Sequence, residues 1–598
     1  MTIPTDAWVK ISAASGPNFS KDGSRIFHLR GTQPLGSGLP QVWVMDADGG
    51  NAQQLSTHEE KVATLRRAPN DDRLIWGIDA GGDERQQLWL LEPGGTPRAL
   101  TAAPEVIHDL GGFSPDGSRI AYAANARDER YFDIHLMDLA TGAVSTLLQG
   151  DGILTVPSWS TDGSKLTVIH DLSGGDQRLH VLDIATGALA EMPRPSPSRY
   201  SAMRWVKGAA QLQGLTDHGG TDFIRLCRLD PATGACTELF APPGRDVEAW
   251  SLSPDGTLLA TIENDRGYAL LRVGPAEGDR PLVALPQGVV ADLAWAPDSA
   301  RLAFSLQGPT FPSGIWLWQN GTATPLVQAD VLADSGIDPA SLVAPSLVEW
   351  KSFDGKMIPG WYLLPNTPPP PGGYPAVVWV HGGPSGQTRA NFRPDIQLLL
   401  SQGFAVMMPN MRGSTGYGRA YMDADELELR PHVLEDLAAG RAWLAAQPNI
   451  NASRIGIMGQ SYGGWVVLAA ATLQPELWKA TVNFYGIADF VTLLERTGPW
   501  RAIHRAHEYG FPGTHDALFD RISPIRHVQH VTAPMLMLHG DRDPRVPMYE
   551  SDSFTAAMEE RQKKVRYERF TYAGHGFIRP DHRRRVYASV VEHFTTHL

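Results

Sequence analysis

A repeat constrains this chain more than any other feature. Ser20-Lys-Asp-Gly23, Ser114-Pro-Asp-Gly117, Ser160-Thr-Asp-Gly163 and Ser253-Pro-Asp-Gly256 share one four-residue form. Ala296-Pro-Asp-Ser299 is a weaker copy, and Ala68-Pro-Asn-Asp71 and Trp205-Val-Lys-Gly208 are degenerate ones. Taken at the third residue of a clear copy or the last of a degenerate one, the series runs 22, 71, 116, 162, 208, 255, 298, a spacing of 43 to 49 residues. Between the copies lie short β-branched and aromatic runs such as Gln41-Val-Trp-Val-Met45 and Leu166-Thr-Val-Ile169, and a second turn often follows: Asp138–Gly142, Asp183–Gly187, Asp230–Gly234. A period near ~45 with four short strands per unit is the signature of propeller blades, and seven copies predict seven blades. The competing arrangement is an array of β-sandwiches, which the period disfavours.

At 598 residues the chain is too long for one core, so the repeat predicts only its first domain. Residues 327–350 are rich in Asp and Pro, residues 348–365 read as a β-hairpin, and the run Pro368 to Pro371 with Gly372-Gly373 reads as a rigid surface turn. We place the boundary near 340, with an all-β propeller over 1–335 and a second domain over 340–598. In that second part apolar runs at 376–380, 404–408, 455–458, 480–484, 535–539 and 565–570 alternate with helical patterns at 435–447, 551–561 and 584–597. Such alternation predicts a doubly wound, mostly parallel sheet covered on both faces, with ligands at the carboxyl ends of its strands.

One of those ends carries Gly459-Gln-Ser461-Tyr-Gly463-Gly464, with a strand before it and the helix-compatible run 465–471 after it. Strand, tight Gly-x-Ser-x-Gly turn and helix are the setting of a nucleophile elbow and predict the α/β-hydrolase fold. A serine hydroxyl needs a base, and the base needs an orienting acid, in the chain order serine, acid, histidine. After the run Met535–His539 the acid is Asp543, with Asp541 as the alternative. The base is His575, set between Gly574 and Gly576 in a loop after the next strand, a setting that His539, His582 and His593 lack. The oxyanion needs donors. One is the backbone N–H of Tyr462. The other is that of Gly383, in His381-Gly-Gly-Pro384 after the strand 376–380.

With His381–Pro384, Arg412-Gly-Ser-Thr-Gly-Tyr-Gly418, Gly459–Gly464, His539–Pro547 and Gly574–Phe577 in this order behind a propeller, the chain resembles the prolyl oligopeptidase family, most of all its acylaminoacyl-peptidase branch. The resemblance implies Ser461, Asp543 and His575 as a catalytic triad. It implies Gly383 and Tyr462 as oxyanion donors, with a further contribution from the Tyr417 hydroxyl. It implies that Arg545 orients the substrate backbone, unless Arg545 instead forms an ion pair that holds the acid loop. It places the pocket at the segment after Asp489, where Arg496, Arg501 and Arg505 are candidate carboxylate binders or a solvated helix face; Trp465, Phe484, Tyr485 and Trp500 are candidate apolar walls. It implies that the propeller admits only short peptides.

The expected function is a serine peptidase acting on short peptides through an acyl-enzyme, of the acylaminoacyl-peptidase kind. The alternatives are a dipeptidyl peptidase, which needs paired carboxylates for a free amine (Glu59-Glu60 or the Asp83-Glu84 turn), a carboxypeptidase, an esterase, and a propeller scaffold with an inactive hydrolase domain. A net charge of −13 argues against a nucleic-acid partner. No cofactor is expected, and no metal, since no Cys/His cluster is present. Cys227 and Cys236 flank a hairpin turn and are expected to be reduced. The N-terminus from Met1 lacks a signal-peptide pattern and no run is long enough to span a membrane, so the expectation is a cytoplasmic protein without a membrane partner. A homo-oligomer stays open as a partner, because no apolar edge strand that would drive one is located.

Overall fold

The repeated turn is closed by its own side chains. In the copy at 160–163, Ser160 Oγ donates to Asp162 Oδ1 at 2.6 Å and accepts the Lys165 N–H at 2.8 Å, while Asp162 Oδ1 accepts the Ser164 N–H at 3.0 Å. Gly163 stands at φ +73°, the left-handed region that glycine enters without cost. These bonds recur at Ser20, Ser114 and Ser253, and at each repeat the turn joins the first and second strands of one antiparallel sheet.

In this computed structural model, which describes residues 3–31, 38–327 and 330–598, seven such sheets follow one another over 14–54, 62–99, 108–148, 153–191, 200–240, 247–275 and 289–327. They form a seven-bladed β-propeller. Six blades have four strands. The sixth has three, with a lone bridge between Arg272 and Leu282 beyond its third strand. Each blade is built from consecutive strands, so the ring closes by packing rather than strand exchange. Phe19, Ile26 and Met45 of the first blade share a core with Ala296, Ala303 and Ile315 of the seventh. Ser313 Oγ donates to Ala14 O and the Gly16 N–H donates to Asp292 Oδ2 across the same seam. Cys227 and Cys236, on neighbouring strands of the fifth blade, are free thiols.

The chain before the first blade does not join the propeller. Met1 and Thr2 lie outside the described residues. Helix α1 (Thr5–Val9) buries Ala7 and Trp8 against Leu342, Phe392 and Leu398 of the C-terminal half. A five-residue helix has no independent stability, so this burial holds it in place. The expected range 1–335 therefore includes an arm that leans on the other part of the molecule.

The C-terminal half is organised on an eight-stranded sheet: β1 (Ser346–Lys351), β2 (Met357–Leu363), β3 (Tyr374–Val380), β4 (Ala405–Pro409), β5 (Ile450–Gln460), β6 (Thr481–Phe484), β7 (Met535–Gly540) and β8 (Val565–Phe570). The order across the sheet is β1-β2-β4-β3-β5-β6-β7-β8. The β1–β2 and β2–β4 pairs are antiparallel and the others parallel. Every residue of β3, β4, β6 and β7 is buried, as expected of strands covered on both faces. Helices α2 (Pro394–Ser401) and α7 (Pro580–His597) cover one face through Leu399, Val590 and Phe594. Helices α3 (His432–Ala445) and α4 (Tyr462–Leu473) cover the other through Leu437, Trp465 and Val466. Two further helices matter below, α5 (Pro499–Tyr509) and α6 (Tyr549–Glu560).

Candidate active site

Strand β5 ends at Gln460, and Ser461 turns the chain into α4 at φ 59° and ψ −121°. This is a strained conformation for a residue with a Cβ, and it is held by what surrounds it. A Cβ on Gly459 would lie 2.4 Å from Gly463 O, and one on Gly463 would lie 2.3 Å from Val380 O. Only glycine fits either position, which is the physical content of the Gly-x-Ser-x-Gly pattern. The Ser461 N–H donates to Phe484 O at 3.0 Å, tying the turn to the end of β6.

Asp543 follows β7 and is buried. Its Oδ1 accepts the N–H groups of Arg545 and Val546 at 2.9 and 3.0 Å, and its Oδ2 meets His575 Nδ1 at 2.6 Å. Burial alone would raise its pKa. The charges and hydrogen bonds of His575 and His539 outweigh burial and hold the carboxyl well below the usual carboxylate range. Asp541, the alternative acid, takes another part: its Oδ1 accepts the Tyr572 and Ala573 N–H groups at 2.7 and 3.3 Å and so positions the histidine loop. The ring of Tyr485 lies 4.6 Å from that of His575, and its hydroxyl donates to Gln460 Oε1 at 3.1 Å. Thus the residue before Ser461 and the ring of His575 lean on one side chain. A histidine bonded this way through Nδ1 presents Nε2 as the atom that exchanges a proton.

Gly383 and Ser461 line one cavity of about 80 Å³, and the loop of Gly383 is fixed from behind. Buried His381 meets Gly382 O through Nδ1 at 2.7 Å and Ser414 Oγ through Nε2 at 3.0 Å. Arg412, two residues before Ser414, is paired with Asp436 at 2.7 Å and Asp354 at 3.1 Å. The motif 412–418 is therefore a brace for the 381–384 loop. Tyr462 offers its N–H at the first turn of α4, where helix donors are unpaired. Its buried hydroxyl donates to Asp425 Oδ2 at 2.8 Å and accepts from Arg430 at 3.0 Å.

The remaining candidates separate. Arg501, Arg505 and Arg545 line the cavity at Ser461, together with Ile487, Leu493, Tyr509 and Val546. Arg496 does not: its guanidinium stacks on the Tyr549 ring at 4.0 Å. Trp465 is a core residue whose indole donates to Ile522 O at 2.9 Å. Phe484 lines a separate cavity between α2 and α7, and Tyr485 borders that cavity while touching His575. Trp500 packs into a propeller core cluster with Phe132 and Leu154. The Tyr417 hydroxyl accepts from Asn410 Nδ2 at 2.8 Å and takes no part in lining the cavity at Ser461.

Sequence reasoning offered Glu84 only as one of a candidate amine-binding pair with Asp83 and did not assign it a place among the arginines. It stands at φ 62° in a propeller turn, ion-paired with Arg545 and 3.9 Å from Arg501. Glu84, Arg501, Arg505 and Arg545 also line a larger cavity of about 570 Å³ between propeller and C-terminal half. Glu60, by contrast, accepts the Gly81 N–H at 3.2 Å and faces Arg579 beside the histidine loop. The pocket walls Tyr509, Leu493 and Ile487 were also unassigned. The spacing Arg501, Arg505, Tyr509, one helix face at steps of four, is the signal that could have found Tyr509.

Residues 390–598 match the model of the prolyl oligopeptidase family. The dipeptidyl aminopeptidase BIII of Pseudoxanthomonas mexicana is 27% identical over 587 residues, 93% of this chain and 83% of that protein. The human acylamino-acid-releasing enzyme is 29% identical over 224 residues, 35% of this chain and 30% of that one. Among solved structures, a puromycin-hydrolysing peptidase of Mycobacterium tuberculosis superposes with a TM-score of 0.87 at 21% identity, covering 100% of this chain and 96% of that one.

Proposed function

We propose that this chain, whose C-terminal part belongs to the prolyl oligopeptidase family, is a serine peptidase that cleaves short peptides through an acyl-enzyme on Ser461. In this reading residues from about 340 onward form an α/β-hydrolase catalytic domain, and the propeller controls access to it. The observation that carries the reading is the Asp543–His575 pair, whose imidazole packs on Tyr485, the side chain bonded to Gln460 just before the strained Ser461 elbow.

His575 Nε2 takes the proton of Ser461 Oγ as the hydroxyl attacks the peptide carbonyl. Asp543 keeps the Nδ1–H tautomer and stabilises the imidazolium. The N–H groups of Tyr462 and Gly383 receive the oxyanion. His575 then gives its proton to the leaving amine, and water repeats the sequence to release the acid.

Among the described residues, the cavity beside Ser461 is lined by three arginines and by no carboxylate. An unblocked α-amine placed there would meet like charge, which supports a blocked or internal residue next to the bond, as in acylaminoacyl-peptidase chemistry. One observation favours a second reading, release of dipeptides from a free N-terminus. Glu84 stands in the interdomain cavity and would serve as the ammonium partner once freed from Arg545. Acetylated and free forms of one tripeptide p-nitroanilide, assayed with the wild type and Ser461→Ala, test both. The serine variant should lose at least ~10⁴-fold in kcat. Retained peptidase activity in that variant would remove the reading.

A further inference from the structure

Resting on the peptidase reading above, we infer that the cavity beside Ser461 takes a substrate carboxylate within one residue of the scissile bond, held by Arg501 and Arg505. These two side chains stand one turn apart on α5, so they reach the same space. That space also contains Ser461 and Gly383, the proposed nucleophile and oxyanion donor. Whatever fills it is therefore bonded to, or one residue from, the carbonyl under attack.

The charges around the cavity do not cancel. Arg501, Arg505 and Arg545 face two carboxylates: Glu84, which pairs with Arg545, and Glu508, which accepts from Arg505 at 2.6 Å. Among the described residues the nearest carboxylate to Arg501 is Glu84 at 3.9 Å, beyond hydrogen-bond reach, and Arg501 Nε is buried with no hydrogen-bond partner. Burial, with the repulsion of Arg505 and Arg545, lowers the Arg501 pKa to about 10. A guanidinium in this condition is costly to keep and is relieved by an anion. A carboxylate matches it best, because two oxygens accept two parallel N–H groups. An apolar occupant would leave Arg501 Nε unsatisfied, and an ammonium would add to the repulsion. The apolar walls Ile487, Leu493 and Val546 suit the methylene or methyl groups that carry such a carboxylate.

The carboxylate has two possible sources, an acidic side chain beside the bond or the C-terminal carboxylate of a peptide cut at its last residue. Two substrate pairs separate them. The first is acetyl-Ala-Ala-Glu-p-nitroanilide against its Gln analogue, and the second is acetyl-Ala-Phe-Ala as the free acid against its amide. The wild type should prefer the charged member of one pair by at least about tenfold in kcat/KM. The first pair would indicate the side chain, the second the chain end. Arg501→Gln and Arg505→Gln should each move that ratio toward one, and Arg501→Lys should restore part of it. An active wild type indifferent to charge in both pairs overturns this inference while leaving the peptidase reading intact. A wild type that cleaves no peptide overturns the peptidase reading instead. The inference is then decided by calorimetry on Ser461→Ala. N-acetylglutamate or acetyl-dialanine should bind at least about tenfold more weakly after Arg501→Gln. Equal binding of each ligand and its amide would end the proposal.

Discussion

Asp541 and Asp543 stand two residues apart, both near the histidine loop, and only their bonds tell them apart. Asp543 meets the His575 ring, whereas Asp541 accepts two backbone N–H groups of the loop. Their variants should therefore differ in kind. Asp543→Asn should lower kcat by on the order of 10⁴-fold, because the histidine loses the partner that selects its tautomer. Asp541→Asn keeps a carbonyl oxygen for both N–H groups and should cost no more than about tenfold, with the residual loss shared between folding and loop position. Steady-state kinetics on one peptide anilide checks both, and equal losses would contradict the assignment. The same logic sorts the three arginines after Asp489. Their identities are alike in the sequence, yet helix phase turns Arg501 and Arg505 to the serine, while Arg496 lies before α5 and turns to Tyr549.

The segment after β6 shows how an element's end is held for function. Glu550, the second residue of α6, is buried and accepts the Ala488 and Asp489 N–H groups at 2.9 and 2.8 Å, and Thr492 Oγ1 at 2.5 Å. It thus anchors the stretch that brings Ile487 to the cavity. Burial raises its pKa from 4.5 to about 7, against the hydrogen bonds that lower it. Between those two values the folded chain keeps a proton that the unfolded chain has released. Stability present below about pH 4.5 is then lost progressively as pH rises toward 7. Glu550→Gln removes this titration and can still accept both N–H groups. Its melting temperature should fall less than that of the wild type between pH 5 and 7.5, measured by thermal unfolding in matched buffers. Parallel curves would show that Glu550 does not titrate there.

At the scale of the molecule, the propeller and the C-terminal half are joined by scattered polar contacts rather than one apolar seam. Arg389 pairs with Glu248 at 2.7 Å and Arg419 with Asp217 at 3.2 Å. Trp500 anchors α5 in the propeller, and Gly81 and Gly82 press on the Tyr572–Gly574 loop that carries His575. The interdomain cavity of about 570 Å³ shares Arg501, Arg505 and Arg545 with the cavity at Ser461, and on the proposed reading a short peptide, not a folded domain, reaches the serine through it. A length series should show kcat/KM falling steeply beyond short peptides, with folded proteins left intact, as read by mass spectrometry of timed digests. Comparable cleavage of a folded protein would contradict this role for the propeller. Seven blades, the Ser461 turn, the Asp543–His575 pair and the 381–384 loop that meets Ser461 at one cavity were all legible in the sequence. Each is fixed locally, by a turn that needs Ser, Asp and Gly at set spacing or by a strand end followed by a loop. What only the tertiary structure decided is the company each residue keeps. Trp465 belongs to the core, Tyr417 to a buried polar network and Trp500 to the propeller, while Glu84 reaches the arginines across more than 400 residues of chain. Local spacing sets an element's conformation, but the face it presents and the neighbour it meets follow from packing between parts distant in sequence, and no local pattern records that.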